Sequence, residues 1–147
     1  MINVAINGFG RIGRQAFRAG FANKKIKWVA INDLADTKTL AHLLRYDTAY
    51  GQWPVSVEYD EKNLIVGGKK ILVTAEKDPA LLPWKNLKIN TVLECTGRFT
   101  DKVGAEGHLK AGAKKVIISA PAKDEGRTKT IVLGVNDHQY NGEAIIS

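Results

Sequence analysis

Short apolar runs alternate with stretches whose apolar residues recur at helical spacing, and this alternation covers most of the chain. Asn3-Val4-Ala5-Ile6-Asn7 reads as a buried strand. Arg14 to Ala22 is amphipathic, and Ile26 to Asn32 is a second apolar strand that ends on Asp33. Asp36-Thr37 starts a helix with Leu40, Leu43 and Leu44 on one face, running through Tyr46. Tyr50 to Pro54 breaks that pattern. The period then changes to two: Val55 to Tyr59 alternates, and Asn63 to Val66 and Lys69 to Thr74 flank Gly67-Gly68, a hairpin turn signal. Asp78-Pro79 opens a short helical turn limited by Pro83-Trp84. Thr91 to Cys95 is a strand ending at Thr96-Gly97, and Thr100-Asp101 caps a helix that Gly112 stops. Val116 to Ser119 is a further strand closed by Ala120-Pro121. Lys123 to Lys129 is a charged loop, Thr130 to Val135 a strand, Asn136-Asp137 a cap or turn, and Ala144 to Ile146 the last strand.

Strands apolar throughout and separated by helices imply a parallel sheet covered on both faces. The junction of the first strand and helix carries Gly8-Phe9-Gly10-Arg11-Ile12-Gly13. The glycines serve different physical ends. Gly8 permits the tight turn, Gly10 lets a pyrophosphate approach the backbone closely, and Gly13 allows close helix–strand packing. A helix starting near Gly10 would aim its unpaired N–H groups at the phosphates. Asp33, twenty residues after Gly13, stands where a carboxylate accepts hydrogen bonds from an adenosine ribose. Its charge would repel a 2′-phosphate by roughly 4 kcal/mol at about 4 Å and an effective dielectric near 20, which argues for NAD over NADP. A bare glycine triplet is weak evidence; here strand, glycines, helix, strand and acid arrive in order. The predicted fold class is α/β, a Rossmann-type doubly wound, mostly parallel sheet with a small antiparallel insertion around residues 55–74.

Composition narrows the picture without redirecting it. The 147 residues suit one domain, and 44% hydrophobic with 25% charged is ordinary for a globular chain. No apolar stretch approaches the roughly 20 residues that span a membrane, and Met1-Ile2-Asn3-Val4 runs directly into a strand rather than a signal peptide. Cys95 is the single cysteine, so no internal disulfide forms, and the cytoplasm is the expected compartment. The net charge of +7 raises nucleic-acid binding as a rival. The lysine pairs Lys24-Lys25, Lys69-Lys70 and Lys114-Lys115 are dispersed and lack interleaved aromatics, which disfavours it. Cys95, in a strand with no histidine nearby in sequence, reads as a core thiol. His42, His108 and His138 read as surface or helix-end residues, and Trp28, Trp53 and Trp84 as packing.

Asn7 to Arg14 followed by Ala30-Ile31-Asn32-Asp33 resembles the phosphorylating glyceraldehyde-3-phosphate dehydrogenases. So do Leu44-Arg45-Tyr46-Asp47-Thr48, Glu94 to Phe99, Ala111 to Val116, Ile118-Ser119-Ala120-Pro121 and Gly134-Val135-Asn136. The match runs in order from end to end, over only the amino-terminal, NAD-binding half of that family. The resemblance implies that Asn7 fixes the first turn, that Arg11 and Ile12 present backbone N–H groups to the pyrophosphate, and that Asp33 holds the ribose. It further implies that residues around Glu76-Lys77 border the adenine, that Thr96, Gly97 and Phe99 wall its pocket, and that Ser119 and Ala120 line the nicotinamide-ribose side. Lys77 departs from the arginine common before Asp-Pro in the family, exchanging a planar fork for a point charge.

In the family a cysteine thiolate attacks the aldehyde, a histidine acts as base, hydride passes to NAD, and inorganic phosphate cleaves the thioester. Both residues would lie beyond Ser147, so 1–147 is expected to be an NAD-binding domain that does not oxidise glyceraldehyde 3-phosphate alone. The stop at Ser147 reads as a cut at a domain boundary. The parent would be a homotetramer. Two alternatives stay open: a stand-alone NAD- or RNA-binding module, and the NAD domain of an erythrose-4-phosphate dehydrogenase.

Overall fold

The computed structural model describes all 147 residues. The first four elements are β1 (Ile2–Asn7), α1 (Arg11–Gly20), β2 (Ile26–Asn32) and α2 (Thr37–Arg45). Five strands follow: β3 (Tyr46–Asp47), β4 (Gly51–Gln52), β5 (Val57–Tyr59), β6 (Asn63–Val66) and β7 (Lys69–Thr74). A 3-10 turn at Pro79–Leu81 leads to β8 (Thr91–Glu94), α3 (Lys102–Lys110) and β9 (Lys115–Ile118). A second 3-10 turn at Asp137–Gln139 precedes β10 (Ile145–Ile146).

One eight-stranded sheet runs β10-β9-β8-β1-β2-β7-β6-β5. The pairs from β10 to β7 are parallel, and β7–β6 and β6–β5 are antiparallel. The expected insertion therefore extends the main sheet, because β7 pairs with β2 on one side and β6 on the other. Gly67 and Gly68 both take positive φ, 53° and 76°, as a two-residue hairpin turn demands. The break at Tyr50 to Pro54 contains β4, which pairs with β3 in a separate two-stranded ribbon.

Neighbouring residues on the central strands serve opposite faces, as the pleat requires. Ile6 and Ile31 pack with Phe17, Leu40, Leu44 and Ile71 beneath α1 and α2. Ala5 and Ala30 pack on the other face with Trp84, Leu82, Ile89 and Val92. Trp84 is fully buried, and Trp28 and Trp53 border the first cluster, so all three tryptophans serve packing as expected.

Two expectations are corrected. Thr130 to Val135 forms no strand: it is a turn region in which Val132, Leu133 and Val135 are exposed, and only Lys129 makes a single bridge, to Ile146. The Ile131 N–H still reaches the Ser147 carbonyl at 2.8 Å, but the backbone then turns between Val132 and Asn136, so no ladder forms. His108 does lie in the last turn of α3, but it is not a surface residue: it is 0% exposed, in the middle of a polar network.

Candidate functional site

The chain leaves β1 toward β2 on one side, and β8 returns to pair with β1 on the other. This reversal of direction opens a crevice at the carboxyl ends of the strands, the general ligand position of such sheets. An open cavity of 280 Å³ lies there, lined by Asn7, Gly8, Gly10, Asn32, Asp33, Leu34, Glu76, Lys77, Cys95, Thr96, Arg98 and Phe99.

The three glycines behave differently. Gly8 has φ +87°, and a Cβ there would stand 2.7 Å from the Thr96 nitrogen. A Cβ on Gly13 would stand 2.3 Å from the Gly8 carbonyl oxygen, so α1 sits directly on the turn. Around Gly10 nothing lies within 4 Å of that position. Two glycines thus hold the loop closed against the protein, and the third leaves it open toward solvent. Gly10 is also the N-cap of α1; no side chain caps the helix, and no acid occupies its first turn. The N–H groups of Arg11, Ile12 and Gly13 find no protein acceptor. An open helix start with a basic residue and no counter-charge suits an anion.

Asp33 accepts from the Phe9 N–H at 2.7 Å through Oδ2 and from the Ala35 N–H at 3.0 Å through Oδ1. Each carboxylate oxygen keeps further acceptor capacity for a ligand hydroxyl. The Phe9 carbonyl in turn accepts from Arg14 Nη1 at 3.0 Å, so Phe9 is pinned at both ends. Partial burial lowers the affinity of the Arg14 guanidinium for its proton.

Beneath the crevice lies a buried chain of hydrogen bonds. Asn7 Nδ2 donates to Glu94 Oε2 at 2.6 Å, and Asn7 Oδ1 accepts from Asn32 Nδ2 at 2.7 Å. Asn32 Oδ1 accepts from the Thr74 hydroxyl at 2.8 Å and from the Glu76 N–H at 2.9 Å. Glu94 Oε1 accepts from the N–H and hydroxyl of Thr96. His108 Nε2 lies 2.9 Å from Glu94 Oε2, and Trp84 Nε1 donates to His108 Nδ1 at 3.0 Å. Sequence reasoning gives Asn7 a role at the turn but misses Glu94, His108 and Asn32. The available signal is a row of polar residues closing apolar strands: Asn7, Asn32, Thr74 and Glu94 end β1, β2, β7 and β8.

Of the residues singled out in the sequence, Asn7, Gly8, Gly10, Asp33, Lys77, Thr96 and Phe99 line the cavity. Arg11 and Ile12 stand exposed at its helix edge, and buried Gly13 supports them. Gly97, with φ +72°, turns the chain just after Thr96. Ser119 and Ala120 lie outside the cavity, at the end of β9; the Ser119 N–H reaches the Glu94 carbonyl at 3.0 Å. Arg98 and Leu34 are cavity residues that sequence reasoning does not single out. Cys95 is half-buried against the core, and burial pushes its thiol pKa up, which suits a packed thiol rather than a nucleophile.

A family profile described as "Glyceraldehyde 3-phosphate dehydrogenase, NAD binding domain" matches residues 2–102. The chain belongs to the glyceraldehyde-3-phosphate dehydrogenase family. It is similar to "Glyceraldehyde-3-phosphate dehydrogenase 1" of Bacillus cereus, 55% identical over 96% of this chain and 42% of that protein. The Geobacillus stearothermophilus dehydrogenase is 53% identical over 97% of this chain and 42% of its own length. The Thermotoga maritima dehydrogenase is 55% identical over 99% and 44%. The chain thus spans less than half the length of these curated relatives and corresponds to the family's NAD-binding domain. The cofactor of this family domain is NAD, and an open Gly10, an uncapped α1 and a carboxylate with spare acceptor capacity fit it. No helix is long and apolar enough to cross a membrane.

Proposed function

We propose that residues 1–147 form the NAD-holding domain of an enzyme that oxidises glyceraldehyde 3-phosphate with inorganic phosphate. The observation that carries this reading is the open start of α1 at Gly10, whose neighbour Phe9 donates its N–H to Asp33. The Arg11 and Ile12 N–H groups bind the pyrophosphate, with the α1 dipole behind them. Asp33 accepts from the adenosine ribose hydroxyls while it keeps Phe9 in place. Glu76 and Lys77 border the adenine on one side, and Thr96, Gly97 and Phe99 wall it on the other. Ser119 and Ala120 line the nicotinamide-ribose side, reached across Cys95 from the cavity. When bound, NAD supplies the hydride acceptor; this chain's residues orient it. The thiol chemistry belongs to residues outside 1–147, because burial of Cys95 keeps its thiol protonated. In this reading the parent is a cytoplasmic homotetramer, as the family resemblance of the sequence implies; the free Cys95 accords with the compartment and bears on nothing else.

Calorimetry with NAD, and NADP as control, tests the site. NAD should bind and NADP should bind far more weakly. Equal affinity for the two would remove Asp33 from its role, and a folded chain that binds neither would remove the reading. A glyceraldehyde 3-phosphate-dependent NADH signal from the pure chain would contradict its expected inactivity.

A further inference from the structure

Trp84, His108, Glu94, Asn7 and Asn32 are each 5% exposed or less, yet all carry polar groups. Their hydrogen bonds have one possible direction. An indole N–H only donates, so His108 Nδ1 must accept from Trp84. That places the imidazole proton on Nε2, where it donates to Glu94 Oε2. The 3.3 Å approach of Asn7 Nδ2 to His108 Nε2 then brings two donors together and is not a hydrogen bond. Glu94 accepts from His108, from Asn7 and twice from Thr96, and donates to none. Asn7 must turn its amide NH₂ to Glu94 and its oxygen to Asn32, and Asn32 must turn its oxygen to Thr74 and the Glu76 N–H. The chain of bonds crosses the ends of β8, β1, β2 and β7, the four adjacent strands that form the floor of the crevice.

From this geometry we infer that His108 is a positioning residue for the NAD site: its Nε2–H orients Glu94, and Glu94 sets Thr96 and Asn7 at the crevice floor. His108 reaches no cavity surface and acts only through Glu94. The inference rests on the NAD reading for its functional consequence, and on hydrogen bonding alone for its structural one. Trp84 fixes the imidazole tautomer from the far side, the two rings lying edge to edge with centroids 6.2 Å apart and 28° between planes. α3 and the Trp84 segment thereby act on a site that neither of them lines.

Two substitutions separate positioning from bulk stability. His108→Asn keeps an acceptor near the Nδ1 position for Trp84 and removes the donor to Glu94. His108→Gln keeps a donor near the Nε2 position for Glu94 and removes the acceptor for Trp84. Each leaves one buried group unpaired, so both should lower the melting temperature. Only His108→Asn should speed amide exchange at Thr96 in the nucleotide-free chain and weaken NAD binding about tenfold, the usual consequence of one orphaned buried partner. Equal Thr96 exchange and equal NAD affinity in the two variants would overturn the inference. If His108→Asn does not fold, nitrogen NMR of the wild-type imidazole decides. A protonated Nε2, a bare Nδ1 and a shift on adding NAD are expected; unshifted signals at saturating NAD would overturn it. Failure of the wild type to bind NAD would count against the NAD reading alone, since the Thr96 exchange contrast is read without nucleotide.

Discussion

Helices α1 and α3 begin at the same end of the sheet, after the parallel neighbours β1 and β8, and they begin in opposite ways. Asp101 caps α3, its Oδ1 accepting from the Gly104 N–H at 2.7 Å. Asp124, from the charged loop after β9, adds a second carboxylate on the Lys102 N–H at 2.9 Å and is itself held by Thr128. α2 is capped in the same manner by Asp36, which accepts from the Thr39 N–H. α1 has Gly10 at its cap, no side-chain acceptor and no acid in its first turn. Where a helix start serves only the fold, this chain supplies its own anion. Where it faces the crevice, the position is left for a ligand's anion, at a cost in stability that a Ser, Asp or Asn cap would have avoided.

The largest effect expected from this contrast comes from closing α1 as α2 and α3 are closed. Gly10→Asp meets open space, so the fold should hold and the melting temperature should rise. The new carboxylate would occupy the pyrophosphate position, and NAD affinity should fall roughly a thousandfold, the equivalent of about 4 kcal/mol of like-charge repulsion. Calorimetry beside a melting curve checks both directions, and unchanged NAD affinity would break the comparison. Gly13→Ala and Gly10→Ala sharpen it within one loop. The first places a Cβ 2.3 Å from the Gly8 oxygen and should destabilise by about 3 kcal/mol; the second meets open space and should cost less than about 1 kcal/mol, the difference between a glycine and an alanine cap.

At α3 the expected loss is of stability alone. Asp101→Ala should lower the unfolding free energy by about 1 kcal/mol, with NAD affinity unaltered. A drop in NAD affinity would mean that the two helix starts are coupled.

The smallest effect is in acid. Hydrogen bonds from Thr39 hold the Asp36 carboxyl below its usual range, and those from Thr128 and Lys102 do the same for Asp124. A lowered folded pKa gives stability that is present above the unfolded value, about 4, and lost as pH falls through the folded value. Melting temperature should therefore decline below about pH 4. Asp36→Asn keeps a good cap but removes one titrating group, so it should flatten that decline while changing little near neutrality. An identical acid slope in the variant would show that the Asp36 cap does not titrate with folding.

Much of the site is legible without the fold. The glycine triplet and Asp33 are local: their spacing follows from one strand, one helix and the next strand, so a short window contains all of the geometry. The strands β1, β2 and β5 to β9 and the Gly67-Gly68 hairpin are legible for the same reason, since periodicity and turn chemistry act between near neighbours; the short β3–β4 ribbon is not. Thr130 to Val135 misleads because a β-propensity is realised only where a ladder continues: Lys129 and Ile131 meet the end of the chain at Ile146 and Ser147, and the backbone then turns between Val132 and Asn136. His108 misleads because its helical position suggests exposure, while its burial depends on Trp84 and Glu94, 24 and 14 residues away in sequence.

The sequence by itself determined the α/β fold, the open cap of α1 and the acid that faces it, because these are consequences of backbone freedom and charge within a few consecutive elements. Only the tertiary structure decided that the crevice floor is one directed chain of buried hydrogen bonds. Its directly bonded partners lie as far as 87 residues apart, as Asn7 and Glu94 do. Hydrogen bonding requires each partner at about 3 Å in a fixed direction, and that condition is met only after the sheet has been assembled.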